Sequence, residues 1–196
     1  MIHRRLALSG LFAAVALTAG CAQMANVATG EVVLKDRLAV QVDRPWNQFE
    51  RGLADNTMTW TRDGVTVDSL RFYIGLKDGE LIAPTPAEPE GQRPLAFKAS
   101  MQAAEVVELF EGLYSRGGSS FKLEKLSPDT FVGTPGFRFE FSALRKADDV
   151  RLRGVGWGAV RNGELFAITF TAPRLAFFPQ HAPSAEAVAR SARVLR

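Results

Sequence analysis

The segment from Val150 to Thr171 constrains this chain most. Val150–Val160 and Leu165–Thr171 are two strand-like runs on either side of Asn162-Gly163. Asn-Gly adopts the positive φ that a two-residue hairpin turn requires, so the two runs are expected to pair antiparallel. Leu165–Thr171 is apolar on both sides, with Phe166, Ile168 and Phe170 alternating with Leu165 and Ala167. A strand of that kind is central in its sheet and covered twice. The chain must therefore build a sheet with a layer on each face.

Other segments supply the neighbours. Phe137-Arg138-Phe139-Glu140-Phe141 puts three rings on one face and the charges on the other. Pro135-Gly136 is expected to turn the chain into it, after an alternating strand over Phe121–Leu126. Leu34–Val42 reads as the first strand, closed by Arg44-Pro45-Trp46. Thr57–Thr61 and Val65–Val67 flank Arg62-Asp63-Gly64 as a second hairpin, whose second arm runs on through Leu70–Gly75. A turn at Asp78-Gly79 lets Glu80–Ile82 pair back, and four prolines make residues 83–94 a solvated loop.

Two helices are expected. One starts near Ser100, carries an apolar stripe through Val106, Val107, Phe110 and Leu113, and stops at Gly117-Gly118. The other opens at Pro183 and presents Val188 for docking. A chain of 196 residues with 46% hydrophobic residues and 14 Phe can bury a sizeable core. The fold class is α+β: one domain over residues 34–196, an antiparallel β-sheet covered by helices. This layout resembles the PsbP/Mog1-like α/β/α sandwich. The resemblance is carried by Thr134-Pro135-Gly136 leading into Phe137–Phe141, the Asn162-Gly163 hairpin, Phe166–Pro173 and the closing helix. That family is functionally varied, so the resemblance implies a fold and no activity.

The N-terminus speaks to location. Met1-Ile2-His3-Arg4-Arg5 is a basic start, and Leu6–Gly20 is a run of small and aliphatic residues too short to span a bilayer comfortably. Residues 1–20 thus read as a cleaved export signal. Leu17-Thr18-Ala19-Gly20-Cys21 resembles the lipobox of bacterial lipoproteins, with Thr18 where the commonest form has Leu. The resemblance implies cleavage before Cys21 and attachment of fatty acyl chains such as palmitate to it. Cys21 is the only cysteine, so no intrachain disulfide competes for the thiol. Residues 21–33 then serve as a lipid-anchored tether, with small side chains and no clear period through residues 22–31. Ala22 rather than Asp follows the cysteine, which by the same resemblance implies an outer-membrane address facing the periplasm.

Composition excludes several chemistries. There are 24 Lys+Arg against 21 Asp+Glu, and loss of Arg4 and Arg5 with the signal brings the balance to about +1. No basic run marks a phosphate-binding face, so nucleic acid is not an expected partner. His181 is the one histidine beyond the signal and reads as an exposed loop residue. No Gly-x-Ser-x-Gly elbow is present, and the nitrogen and sulfur ligands of a zinc site are missing. No cofactor is expected. Asp148-Asp149 reads as a solvated pair.

Two features invite a binding role. Gly154, Gly156 and Gly158 share one strand face and leave a flat stripe on which a helix or a ligand can press. Arg138, Arg151, Arg153 and Trp157 form a candidate binding patch, since Arg and Trp are common in binding hot spots. The apolar run Leu175–Pro179 is either a docking loop or an anchor for the last helix. The chain therefore reads as a non-catalytic, membrane-anchored envelope lipoprotein, a binding or assembly module for an envelope protein or an anionic envelope component. The alternative is a carrier or chaperone for an apolar envelope molecule, held in a cavity between sheet and helix.

Overall fold

In a computed structural model, residues 24–49, 52–84 and 94–195 are described. The expected signal peptide, Cys21 and most of the proline-rich loop lie outside them. The Asn162-Gly163 hairpin forms as expected, with both residues at positive φ (52° and 79°). It joins β9 (Val150–Arg161) to β10 (Glu164–Pro173). The other strands of the large sheet are β1 (Met24–Val27), β4 (Trp46–Phe49), β5 (Thr57–Thr61), β6 (Ser69–Leu76), β7 (Ser120–Phe131) and β8 (Thr134–Arg145). All neighbours are antiparallel, in the order β1-β4-β5-β6-β10-β9-β8-β7. β10 is interior, as its two apolar faces require.

Helix α1 (Ala103–Tyr114) carries the chain from β6 to the far edge of the sheet and covers one face. The Glu105 carboxylate accepts the Gln102 backbone N–H at 2.7 Å and caps its first turn. The cap is thus Gln102, two residues beyond the expected Ser100. Tyr73, Phe137, Phe139 and Phe141 pack beneath this helix, against its own Phe110. The opposite face is covered jointly by α2 (Phe177–Ser191) and a second sheet of β2 (Gly30–Leu34), β3 (Leu38–Val42) and β11 (Arg193–Val194). Trp46, Trp60, Phe72, Trp157, Phe166 and Phe170 fill that layer. The sandwich is therefore richer in strand than a helix-covered sheet, because three strands share one cover with α2.

Several local expectations are corrected. Leu34–Val42 is not one strand: Lys35 and Asp36 take positive φ (51° and 54°) and fold β2 back on β3. Within the segment expected as a tether, Met24–Val27 and Gly30–Leu34 lie in strands of the two sheets. Val65–Val67 is a turn and the second arm begins at Ser69. The Asp68 carboxylate explains this, because it accepts the backbone N–H groups of Arg62 (3.0 Å) and Asp63 (2.8 Å) and the Thr61 hydroxyl (2.8 Å). Glu80–Ile82 makes only an isolated bridge, Leu81 to Ala96. The turn before β8 is Val132-Gly133, both at positive φ, and Pro135-Gly136 lies within the strand. Pro183 sits inside α2, which starts at Phe177 and seats Phe178 in the core. Leu175 remains 82% exposed, so only part of the run 175–179 anchors the helix.

The exposed edge strand β7 is guarded. Lys122, Glu124 and Lys125 face solvent, and the register slips between Leu123 and Lys125. Charges and a bulge of this kind oppose pairing with a second chain.

Candidate functional site

The glycine stripe is filled from within the sheet. Register sets Gly154, Gly156 and Gly158 directly opposite Phe141, Phe139 and Phe137 of β8. The three rings lie over the three glycines: a Cβ on Gly158 would stand 2.5 Å from the Phe137 ring, and at Gly154 and Gly156 the overlap is tighter. Phe110 of α1 stacks on Phe139 with centroids 5.4 Å apart. The helix therefore presses on the rings, and the rings on the glycines.

On the other face, β8 and β9 bring the four patch residues together at different depths. Arg138 lies across from Trp157, with its guanidinium 5.8 Å from the indole centroid. Trp157 itself is fully buried under the α2 layer. Arg138 and Arg153 both donate to Glu140, at 2.6 and 2.9 Å. Arg153 also lies 5.3 Å from the Phe178 ring centroid. Arg151 is exposed and makes no ion pair among the described residues. Glu140 thus offsets one of the three positive charges, and the patch keeps a net basic character.

Glu140 is held below the usual carboxylate range, first by the hydrogen bond from Arg138 and then by that from Arg153. A depressed carboxyl contributes stability above its unfolded value, about 4.5, and loses it as pH falls through the folded value. The stability gap between wild type and Glu140→Gln should therefore narrow from about pH 6 to about pH 3. Urea denaturation at both pH values checks this, and a constant gap would remove the ion pair from the account.

His181 is not a loop residue. It lies in α2, 5% exposed, with Nε2 2.6 Å from Asp63 Oδ2. One turn on, Ser184 donates to Asp43 and accepts from Arg62 Nη2 at 2.7 Å, while Arg62 stacks on Trp46 at 4.3 Å. The network ties α2 to the 62–64 turn. Ser184 hydrogen-bonds Asp43 rather than the imidazole, so the nucleophile–base contact of a hydrolase is not made. Asp148 is a bidentate acceptor for Arg145, at 2.8 and 2.7 Å, and Asp149 pairs with Lys146 at 3.4 Å. Among the described residues no group of three or more His, Cys, Asp or Glu is placed to hold a metal ion.

A cleft of about 340 Å³ lies on the α1 face where that helix ends. Its origin is a change of side-chain chemistry along two paired strands. Ala167 of β10 faces Tyr73 of β6 in the aromatic layer, but the next pairs are Thr169 with Arg71 and Thr171 with Ser69. The floor thus turns polar where α1 no longer covers it. Ser69 and Thr171 share a hydrogen bond at 2.9 Å, and the Tyr114 and Thr169 hydroxyls share one at 3.0 Å. Leu53, Val65, Val67, Leu113 and Leu152 supply apolar walls.

Three arginines reach this cleft and no carboxylate lines it among the described residues. Arg145 is satisfied by Asp148. Arg116 donates Nη1 to the Pro84 carbonyl at 2.9 Å. Arg71 has its guanidinium 5.6 Å from the Tyr114 ring centroid, and its buried Nε has no hydrogen-bond partner among the described residues. Sequence reasoning missed this site. The available signal was an arginine at the centre of an apolar strand, Leu70-Arg71-Phe72-Tyr73-Ile74, on a face that a covered sheet should bury.

No protein-family model and no curated protein matches the chain. Solved structures do resemble it. The solution structure of cyanobacterial PsbP (CyanoP) from Synechocystis sp. PCC 6803 matches with a TM-score of 0.56 and 13% identity, over 91% of this chain and 96% of that one. A crystal structure from Bacteroides thetaiotaomicron matches with a TM-score of 0.52 and 11% identity, over 87% of this chain and 50% of that one. The chain therefore has a PsbP-like fold. At these identities the likeness defines architecture and leaves function to the site.

Proposed function

We propose that the chain is a non-catalytic, lipid-anchored module of the bacterial cell envelope that binds or assembles another envelope component. The observation that carries this reading is the Leu17–Cys21 run set directly ahead of the folded domain. Met24, three positions beyond Cys21, already belongs to edge strand β1. Acyl chains on Cys21, at about 0.8 kcal/mol per buried CH₂, would hold the domain close to the bilayer. The patch at Arg138, Arg151 and Arg153 and the arginine cleft are the two surfaces such a module offers. A carrier of a wholly apolar molecule has less support. Rings occupy the layer between sheet and α1, and the cleft at the end of α1 is reached by three arginines.

Detergent phase separation of cells expressing the full chain tests the anchor. Wild type is expected in the detergent phase and with outer-membrane fractions, and Cys21→Ser in the aqueous phase. Equal partition of the two forms would contradict the proposal.

A further inference from the structure

We propose that the cleft at the end of α1 is a binding site for a phosphate-bearing molecule, with Arg71 as its principal ligand. The inference rests on reading the domain as a binding module, but not on its lipid anchor. Arg71 rises from the centre of β6, so its backbone is fixed by ladders to β5 and β10. Arg71 is half-buried on a rigid strand, and its buried Nε–H lacks a hydrogen-bond acceptor, a cost that an incoming acceptor would remove. An oxyanion supplies that partner through two parallel charge-assisted bonds.

The surroundings select the class of anion. Arg116 retains donors beyond the one used on Pro84, and the Ser69 and Thr171 hydroxyls lie on the floor beside Arg71. Two guanidinium groups and the one O–H that the Ser69–Thr171 pair leaves free, arranged around one space, suit the several oxygens of a phosphate better than the two of a planar carboxylate. The volume of about 340 Å³ exceeds a bare phosphate and the walls at Val65, Leu113 and Leu152 are apolar. The ligand is therefore an organic phosphate with a compact apolar substituent, either a free phosphomonoester or the headgroup region of an anionic lipid.

The test is calorimetric titration of the full chain in mild detergent with phenyl phosphate and with inorganic phosphate. Co-sedimentation of the unacylated Cys21→Ser chain with phosphatidylglycerol and phosphatidylcholine vesicles, in detergent-free buffer, forms a parallel arm. Phenyl phosphate should bind at one saturable site, more tightly than inorganic phosphate. Arg71→Gln should weaken it by about tenfold or more, while Lys77→Gln, exposed and outside the cleft, should leave it unchanged. Arg116→Gln, on the turn after α1, gives a second reading should the β6 variant fold poorly, and it should also weaken binding. Arg71-dependent binding of phosphatidylglycerol vesicles alone would identify the source as a lipid headgroup. Absence of saturable binding in every arm, or binding indifferent to both Arg71 and Arg116, would overturn the proposal. Neither outcome bears on the anchor, because an unacylated chain would titrate in the same way.

Discussion

Gly156→Val should destabilise the domain by about 3 kcal/mol, the upper part of the range for overpacking a well-filled core. For a domain of this size that lowers Tm by roughly 6–12 °C. The new side chain would occupy space held by the Phe139 ring. The ring has no free direction of retreat. It is stacked on Phe141 at 5.7 Å, on Phe110 at 5.4 Å, and lies 6.2 Å from Phe137. A double-mutant cycle separates this cause from a general loss of strand propensity. Removing the ring in Phe139→Ala makes room, so Gly156→Val with Phe139→Ala should cost less than the two single changes added. Strict additivity, read by thermal melting, would mean that the ring and the glycine are not coupled.

Phe110→Ala should cost about 3–5 kcal/mol. Phe110 is fully buried and is the point at which α1 grips the sheet. Its ring meets Tyr73 edge-on at 5.1 Å and stacks on Phe139, joining β6 to β8 through the helix. The sheet beneath is held by its ladders and cannot collapse into the gap, so the full cavity penalty applies. Urea denaturation followed by far-ultraviolet circular dichroism measures the loss. A cost below about 1 kcal/mol would show that α1 is held by something other than this contact.

The two variants also mark how far the fold was legible. The parity of the glycines and of the phenylalanines is plain in sequence, and so is the Asn162-Gly163 turn, because both are local. The placement of Phe139 on Gly156 is a matter of cross-strand register, which follows from where the β8–β9 connection turns. The other failures share a cause. Val132 takes a positive φ that a β-branched side chain disfavours, so no turn signal marked it, whereas Pro135-Gly136 looked like one. Lys35 and Asp36 hid a hairpin within an apolar run. Pro183 reads as a helix start, yet α2 runs through it on the strength of its packing at Phe178, Ala185 and Val188. In each case tertiary contact overrode a local preference.

The candidate sites divide along the same line. Alternation gives Arg151, Arg153 and Trp157 one parity on β9, but depth is a property of the covering layer, and Trp157 lies beneath α2. The burial of His181 and its bond to Asp63 depend on α2 crossing the 62–64 turn, which no spacing in the chain encodes. The arginine cleft opens at the end of α1, where Tyr114 meets Thr169 of β10 and the floor turns from aromatic to polar.

The membrane anchor is the claim on which the functional account depends. Mass spectrometry of the protein extracted from native membranes tests it most directly. The account predicts a mature chain beginning at Cys21 and heavier than its sequence by the mass of attached acyl groups. An unmodified Cys21, or a chain retaining residues 1–20, would contradict it and leave a PsbP-like domain with an arginine cleft and no assigned address.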